Sequence, residues 1–113
     1  MTTTMSGPRV QVIFFGEIIA DSREALRLAD GNGGHVYYFP RRDVNMARLY
    51  RSTLKTVCPT RGEASYYTLA NGRLSENAAW SYEEPDVADS DLKHRLAFDP
   101  GKVDLIRIIR EEH

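Results

Sequence analysis

The apolar residues of this chain come in short runs, and turn-forming residues separate these runs at short intervals. No apolar run is longer than Val12–Phe15, and the alternation around it is typical of a β-strand. Asn71-Gly72 is a strong signal for a tight hairpin turn, and Pro40 and Pro85 each end a run. The sequence therefore predicts a mainly β fold, a small antiparallel barrel-like or tent-like domain with one or two short helices.

Three segments decide how much helix accompanies the strands. Apolar residues recur at helical spacing after the capping residue Asp43, which predicts an amphipathic helix over Val44–Arg51. The patterns of Arg23–Ala29 and Val103–Ile109 fit either a helix or a strand, and both assignments stay open.

Gly16-Glu17 is predicted to occupy the centre of a type II′ hairpin turn.

Length and composition indicate one soluble domain, and the lack of targeting signals together with the lone thiol favours the cytoplasm. The 113 residues are 42% hydrophobic and 27% charged, which suits a single globular domain over residues 9–113 after a flexible arm over residues 1–8. The polar start is not a signal peptide, and no run is long enough to span a membrane. The single cysteine excludes an internal disulfide and zinc sites built from three or four cysteines.

The charges nearly cancel over the whole chain but are unevenly placed. A net charge of −1 argues against a nucleic-acid-binding role. Residues 41–61 contain six basic side chains and one acid, whereas residues 76–91 contain six acids and no base. The two segments either face each other or form solvated surfaces. Alternatively, Arg61 beside a glycine turn holds an anionic group such as a carboxylate or a phosphate.

Several short motifs follow one another in a familiar order. They are Ile18–Ser22, Tyr37–Pro40, Cys58–Gly62, Ala64–Tyr67, Ala79–Tyr82 and Leu96–Phe98. In this order the chain resembles the domain-of-unknown-function family 427 of bacteria and fungi, over roughly residues 9–105. The resemblance implies a compact β-rich fold and secures no activity.

The chain departs from the family pattern at three positions. Thr60 and Arg61 stand where the family usually has Tyr and Lys, and Asp30 replaces a usual Glu. Because arginine stays protonated, a role that needs a neutral lysine does not carry over. The family is sometimes labelled nucleotidyltransferase-like. That chemistry needs a Gly-Ser turn before paired acids, and the chain offers only the isolated pair Asp89-Ser-Asp91.

Aromatic residues with polar tips are concentrated in three predicted strands, and they suggest a ligand pocket. Because alternation sends neighbours to opposite faces, one residue of each Tyr pair can line a pocket while the other packs elsewhere. The expected lining residues are Tyr38, Arg61, Tyr66, Trp80 and Tyr82. Asp21, Ser22 and Ser65 would add polar contacts, although the first two could simply cap a helix. The alternative is a plain aromatic core.

Cys58 carries the alternative, enzymatic hypothesis of a small transferase or hydrolase. A nucleophilic thiolate needs a nearby cation and a base, for which Arg61 and His94 are candidates. A lone cysteine at a strand end is more often a small buried apolar residue. The histidines lack the close spacing of metal sites, so neither a metal nor a cofactor is expected. A third hypothesis is an interaction module that uses its aromatic face to bind a protein partner or a second copy of itself, as a homodimer.

Overall fold

The computed structural model describes residues 8–30, 32–85 and 90–110. Strands dominate these residues, and every paired neighbour is antiparallel, which confirms the mainly β prediction. The strands are β1 Arg9–Phe14, β2 Glu17–Ser22, β3 Leu26–Ala29, β4 His35–Tyr38, β5 Leu49–Cys58, β6 Gly62–Ala70, β7 Leu74–Ser81, β8 Ala97–Phe98 and β9 Leu105–Ile109.

The strands form two larger sheets and a separate hairpin. One sheet has the order β2-β1-β9, the other has the order β5-β6-β7-β8, and β3 pairs with β4. A main core cluster joins Val12 of β1 to Leu69 of β6, and a smaller cluster joins Tyr38 of β4 to Ala64 of β6. The four-stranded sheet is therefore covered on one face by the three-stranded sheet and on the other by the hairpin. The bridge between Phe39 and Leu96 ties that hairpin to β8.

The two segments of open assignment are both strands, and the predicted helix over Val44–Arg51 is wrong. Residues Met46–Arg48 form a single 3-10 turn, capped by the Asn45 side chain, and β5 begins at Leu49. Leu49 pairs with Leu69 on β6, so a sheet contact outweighs the local helical spacing. The helices of the described residues are all single 3-10 turns, at Arg41–Asp43, Met46–Arg48, Ser90–Leu92 and Pro100–Lys102.

The predicted hairpins form, but two of their turns are built differently from the expectation. Phe15 and Gly16 are the central residues of the β1–β2 turn, with φ of 50° and 79°, so the turn begins one residue earlier than predicted. The Phe15 N–H donates to Asp104 at 2.7 Å, and Arg73 lies 5.7 Å from the centre of its ring. These contacts hold a non-glycine residue at positive φ. Asn71-Gly72 also turns the chain, but with a third loop residue, since Ala70 pairs with Leu74.

The sequence predicts a flexible arm at the start of the chain and no membrane-spanning segment. The predicted arm over residues 1–8 lies outside the described residues except for Pro8. Within the described ranges, no helix has the length and apolar character needed to cross a membrane.

An ion-pair cluster around Glu83 fixes one end of the four-stranded sheet. The Glu83 carboxylate accepts hydrogen bonds from Arg41 and Arg51, at 2.8 Å each, and from the Tyr67 hydroxyl. Both guanidinium groups also lie over the Tyr67 ring. Burial alone would raise the pKa of Glu83, but the hydrogen bonds from Tyr67 and Arg51 and the nearby charges bring that pKa below its ordinary value. The cluster therefore brings the basic segment 41–61 into contact with the acidic segment 76–91. This agrees with the alternative in which the two segments face each other.

Replacing Glu83 by Gln should lower the free energy of unfolding by about 1–3 kcal/mol at pH 7, because two guanidinium groups lose their anion. A carboxylate with a lowered folded-state pKa stabilises above its unfolded pKa of about 4.3 and loses that effect as the pH falls through the folded value. The deficit of the variant should therefore shrink below about pH 4. Urea unfolding at pH 7 and below about pH 4 measures the free energy of unfolding of both proteins. Glu84→Gln, at an exposed neighbour, is the control, and equal deficits for both variants would contradict the role of the cluster.

Candidate functional site

The register between β6 and β7 separates the aromatic residues onto the two faces of the sheet. Tyr66 pairs with Trp80, and Tyr67 pairs with Ala79. Tyr66 and Trp80 pack against the cluster under the hairpin, whereas Tyr67 belongs to the main core. On β4, Tyr38 likewise joins the first group and Tyr37 packs against the main core. The pleat thus gathers one member of each tyrosine pair beside the single tryptophan.

An open cavity of about 560 Å³ lies between the hairpin and this face of the sheet. We call it the aromatic cavity, and the residues that line it are Asp30, Val36, Tyr38, Leu54, Cys58, Arg61, Tyr66, Asn77, Trp80, Tyr82, Asp99 and Lys102. All five residues expected to line a pocket are among them, and so is Cys58. Aromatic rings and polar side chains share its walls, and a cavity that combines the two can orient a small polar molecule.

The aromatic rings of the cavity support one another. Tyr38 meets Trp80 edge to face with 6.4 Å between the ring centres, and Trp80 lies 6.3 Å from Tyr66. Tyr38 also lies 6.3 Å from Tyr82. Burial raises the pKa of Tyr82 to about 12, with smaller contributions from Tyr38 and Cys58. The Tyr82 hydroxyl therefore stays protonated at neutral pH and can act as a hydrogen-bond donor.

Arg61 places a guanidinium group on the cavity without a carboxylate partner. Its Nη2 donates to the backbone carbonyl of Ala29 at 3.3 Å, and it forms no ion pair with any residue in the described ranges. Asp30 lines the same cavity, but its carboxylate accepts hydrogen bonds from the N–H groups of Asn32 and Gly34. The guanidinium is thus oriented by a neutral group and keeps donors for an anion.

Most basic side chains of the 41–61 segment are occupied by acids. Arg41 and Arg51 bind Glu83, Arg42 pairs with Glu24, and Arg48 with Glu17; these pairs are separate from the aromatic cavity. Among the described contacts, the two remaining cations of the segment have no carboxylate partner. Lys55 donates to Ser65 and Arg61 to a carbonyl. Of these two cations, only Arg61 lines the aromatic cavity.

Cys58 lies at the end of β5 beside Arg61, and its surroundings favour the thiolate. The Thr60 hydroxyl is 3.4 Å from Sγ, and hydrogen bonds from that hydroxyl and from the Thr60 backbone lower the pKa of the Cys58 thiol. Partial burial opposes this shift, whereas the Arg61 backbone N–H and its charge add to it. The result is a partly accessible thiol of lowered pKa on a cavity wall.

His94 and Ser65 line a different cavity from Cys58. This second cavity, of about 360 Å³, is bounded by Lys55, Glu63, Ser65, Glu83, Glu84, Lys93 and His94. Ser65 alternates with Tyr66 along β6 and is 6% exposed, and its hydroxyl accepts a hydrogen bond from Lys55 at 3.0 Å. The structure therefore does not bring His94 together with Cys58 on one cavity wall.

Asp21 and Ser22 belong to β2 and do not line the aromatic cavity. Asp21 forms an ion pair with Arg9 at 2.7 Å. The Ser22 hydroxyl accepts the Glu24 N–H at 2.9 Å and donates to Asp43 at 2.6 Å. Their capping pattern therefore serves a turn before β3 rather than a helix.

Sequence reasoning did not single out the far end of the aromatic cavity, where Asn77, Asp99 and Lys102 lie. Asn77 has φ of 55°, and its buried Oδ1 accepts no hydrogen bond from the described residues. Lys102 closes a 3-10 turn capped by Asp99. The turn signal Asp99-Pro-Gly101 could have located this loop, but nothing in the sequence places it beside Trp80.

The comparisons with known proteins identify a family and no activity. The model of a domain of unknown function, DUF427, matches residues 2–108. The chain belongs to the DUF427 family. A comparison with curated proteins finds no match. Membership in DUF427 confirms the resemblance seen in the motifs.

No group of three or more His, Cys, Asp or Glu side chains in the described part of this DUF427 domain could hold a metal ion. The acidic pair Asp89-Ser-Asp91, weighed for metal-dependent nucleotidyl transfer, lies partly outside the described residues. The aromatic cavity is therefore the candidate site that the described geometry favours.

The Cys58 thiol should titrate below the ordinary cysteine value of about 8.5. Thr60→Val removes the hydroxyl that hydrogen-bonds to the sulfur, so the titration midpoint should rise and the reaction with iodoacetamide at pH 7.5 should slow. Reaction rates measured from pH 6 to 10 give both midpoints. Thr56→Val, two residues before Cys58 on β5, serves as the control. A wild-type midpoint at or above 8.5 would contradict the assignment.

Proposed function

We propose that this DUF427 domain binds a small polar or anionic molecule in the aromatic cavity. One observation carries the proposal: Arg61 lies in the same cavity as the partly buried rings of Trp80 and Tyr66. Arg61 has no carboxylate partner among the described residues. An unneutralised guanidinium beside aromatic faces favours a planar ligand bearing a carboxylate or a phosphate. Tyr82 lines the same cavity and adds to its aromatic wall.

The plain aromatic core is the simpler alternative, and two features speak against it. Trp80 and Tyr66 are only partly buried, and the space next to them is a cavity rather than packed side chains. We also propose a cytoplasmic location, because an accessible thiol such as Cys58 stays reduced there.

The binding proposal can be tested with the fluorescence of Trp80, which is the only tryptophan in the chain. Benzoate and phenyl phosphate should change this emission in a saturable way, whereas neutral benzamide should bind at least tenfold more weakly. Arg61→Ala should weaken benzoate binding by about tenfold to a hundredfold, because a charge-assisted hydrogen bond is lost.

Arg107→Ala is the matched control, since Arg107 is an exposed arginine of β9 in the other sheet. Binding that is unchanged in Arg61→Ala, with the variant still folded by circular dichroism, would refute the proposal. So would equal affinity for benzoate and benzamide in the unaltered protein.

A second candidate function is an enzyme that uses Cys58 as its nucleophile, a transferase or hydrolase in type. The lowered pKa of the thiol and its place beside Arg61 in the cavity favour this candidate. The structure gives no support to His94 as its base, because His94 lines the second cavity. The thiolate would thus be produced by the hydrogen bonds of Thr60 and the charge of Arg61.

Cys58→Ser separates the two functions, because it preserves the size and polarity of the side chain but removes the thiolate. If the domain only binds, benzoate affinity should stay within about twofold of the unaltered protein. If the thiol is a nucleophile, hydrolysis of p-nitrophenyl acetate should fall to the background rate in Cys58→Ser and persist in Arg107→Ala. Hydrolysis at background rate in the unaltered protein would leave no basis for the enzymatic candidate.

A further inference from the structure

The aromatic cavity has a cation at each end, and both cations are held in the same way. At one end Arg61 donates to the carbonyl of Ala29. At the other end Lys102 donates from Nζ to the carbonyl of Glu76 at 3.2 Å. Neither forms an ion pair with a described residue, whereas Arg9, Arg41, Arg42, Arg48 and Arg51 do. Each backbone carbonyl fixes a cation in place without neutralising its charge.

The two acids that line the cavity are engaged by their own turns. Asp30 accepts hydrogen bonds from the backbone of Asn32 and Gly34, which lowers its pKa. Asp99 accepts the N–H of Gly101 at 2.9 Å as the cap of a 3-10 turn. Neither carboxylate reaches ion-pair distance of Arg61 or Lys102 in the described residues. Both acids are therefore held by backbone N–H groups of their own turns, and neither neutralises Arg61 or Lys102 through an ion pair.

The strand geometry separates the two ends of the cavity. Lys102 contacts the chain at Glu76, next to Asn77 on β7, and Arg61 and Cys58 lie on the β5–β6 loop side with Tyr82. The backbone from Asn77 to Tyr82 spans at most roughly 16 Å, at about 3.3 Å per residue. Trp80 lies between these two positions and pairs with Tyr66, so aromatic faces occupy the middle. The long side chains of arginine and lysine shorten the distance that a ligand has to bridge.

From this arrangement we infer that the ligand is an elongated dianion with a flat apolar middle. One anionic group binds Arg61, the middle packs on Trp80 and Tyr66, and a second anionic group binds Lys102. The inference rests on the proposed function and narrows it to one class of ligand.

A pair of probes of equal shape tests the second anionic subsite by isothermal titration calorimetry. Biphenyl-4,4′-dicarboxylate should bind about tenfold more tightly than biphenyl-4-carboxylate, beyond the advantage of about twofold that two equivalent ends give by statistics. This gain should diminish in 0.5 M NaCl, because the Lys102 end is exposed and its charge is screened. Terephthalate, with a single ring, should show a smaller gain over benzoate because it is too short to bridge both cations.

Lys102→Met should abolish the gain, because the second carboxylate of the dicarboxylate then meets no cation. Lys102 is exposed, so the variant should fold, and Lys93→Met at an exposed lysine of the second cavity is the matched control. Equal affinities of the two biphenyl probes, or a gain that survives in Lys102→Met, would overturn the inference and leave the proposed function standing. Failure of both probes to bind at all would overturn the proposed function together with it.

Discussion

The pairing of Tyr66 with Trp80 across β6 and β7 is the constraint on which the rest of the structure depends. Side chains alternate along a strand, so this single register sends Tyr66 and Trp80 to one face of the sheet and Tyr67 and Ala79 to the other. A slip of one residue would exchange the two sets. The main core would then have to hold the tryptophan, and the cavity would lose both of its central rings.

The second face of the sheet shows why that register is so well determined. Tyr67 is buried in the main core with Leu69, yet its hydroxyl reaches Glu83 and thereby Arg41 and Arg51. A residue that belongs to the apolar core and to an ion-pair cluster can satisfy both only in one position. The cluster at the sheet end and the cavity on the opposite face are therefore consequences of the same alternation.

Much of this could be predicted from the sequence, because the signals were local. The strand runs, the hairpin at Asn71-Gly72 and the alternation of the tyrosine pairs depend on neighbouring residues, and the structure reproduces them. The prediction of a helix over Val44–Arg51 is wrong because the apolar spacing reflects only neighbouring residues. The pairing of Leu49 with Leu69 joins residues far apart in the sequence. The grouping of Lys102 with Trp80, and of His94 with Ser65, depends on how distant segments pack, which no local pattern encodes.

The hairpin of β3 and β4 covers the cavity, and it is the smallest of the described sheets. A two-stranded hairpin is scarcely stable in water alone, so this one depends on its attachments. Those described include the bridge from Phe39 to Leu96 and the hydrogen bonds from Arg95 to the carbonyls of Tyr38 and Glu24. Such a unit can open locally at less cost than unfolding the whole domain. Because the cavity is open, a molecule can enter it without this opening, but Tyr38 and Val36 keep their places in the cavity wall only while these few attachments persist.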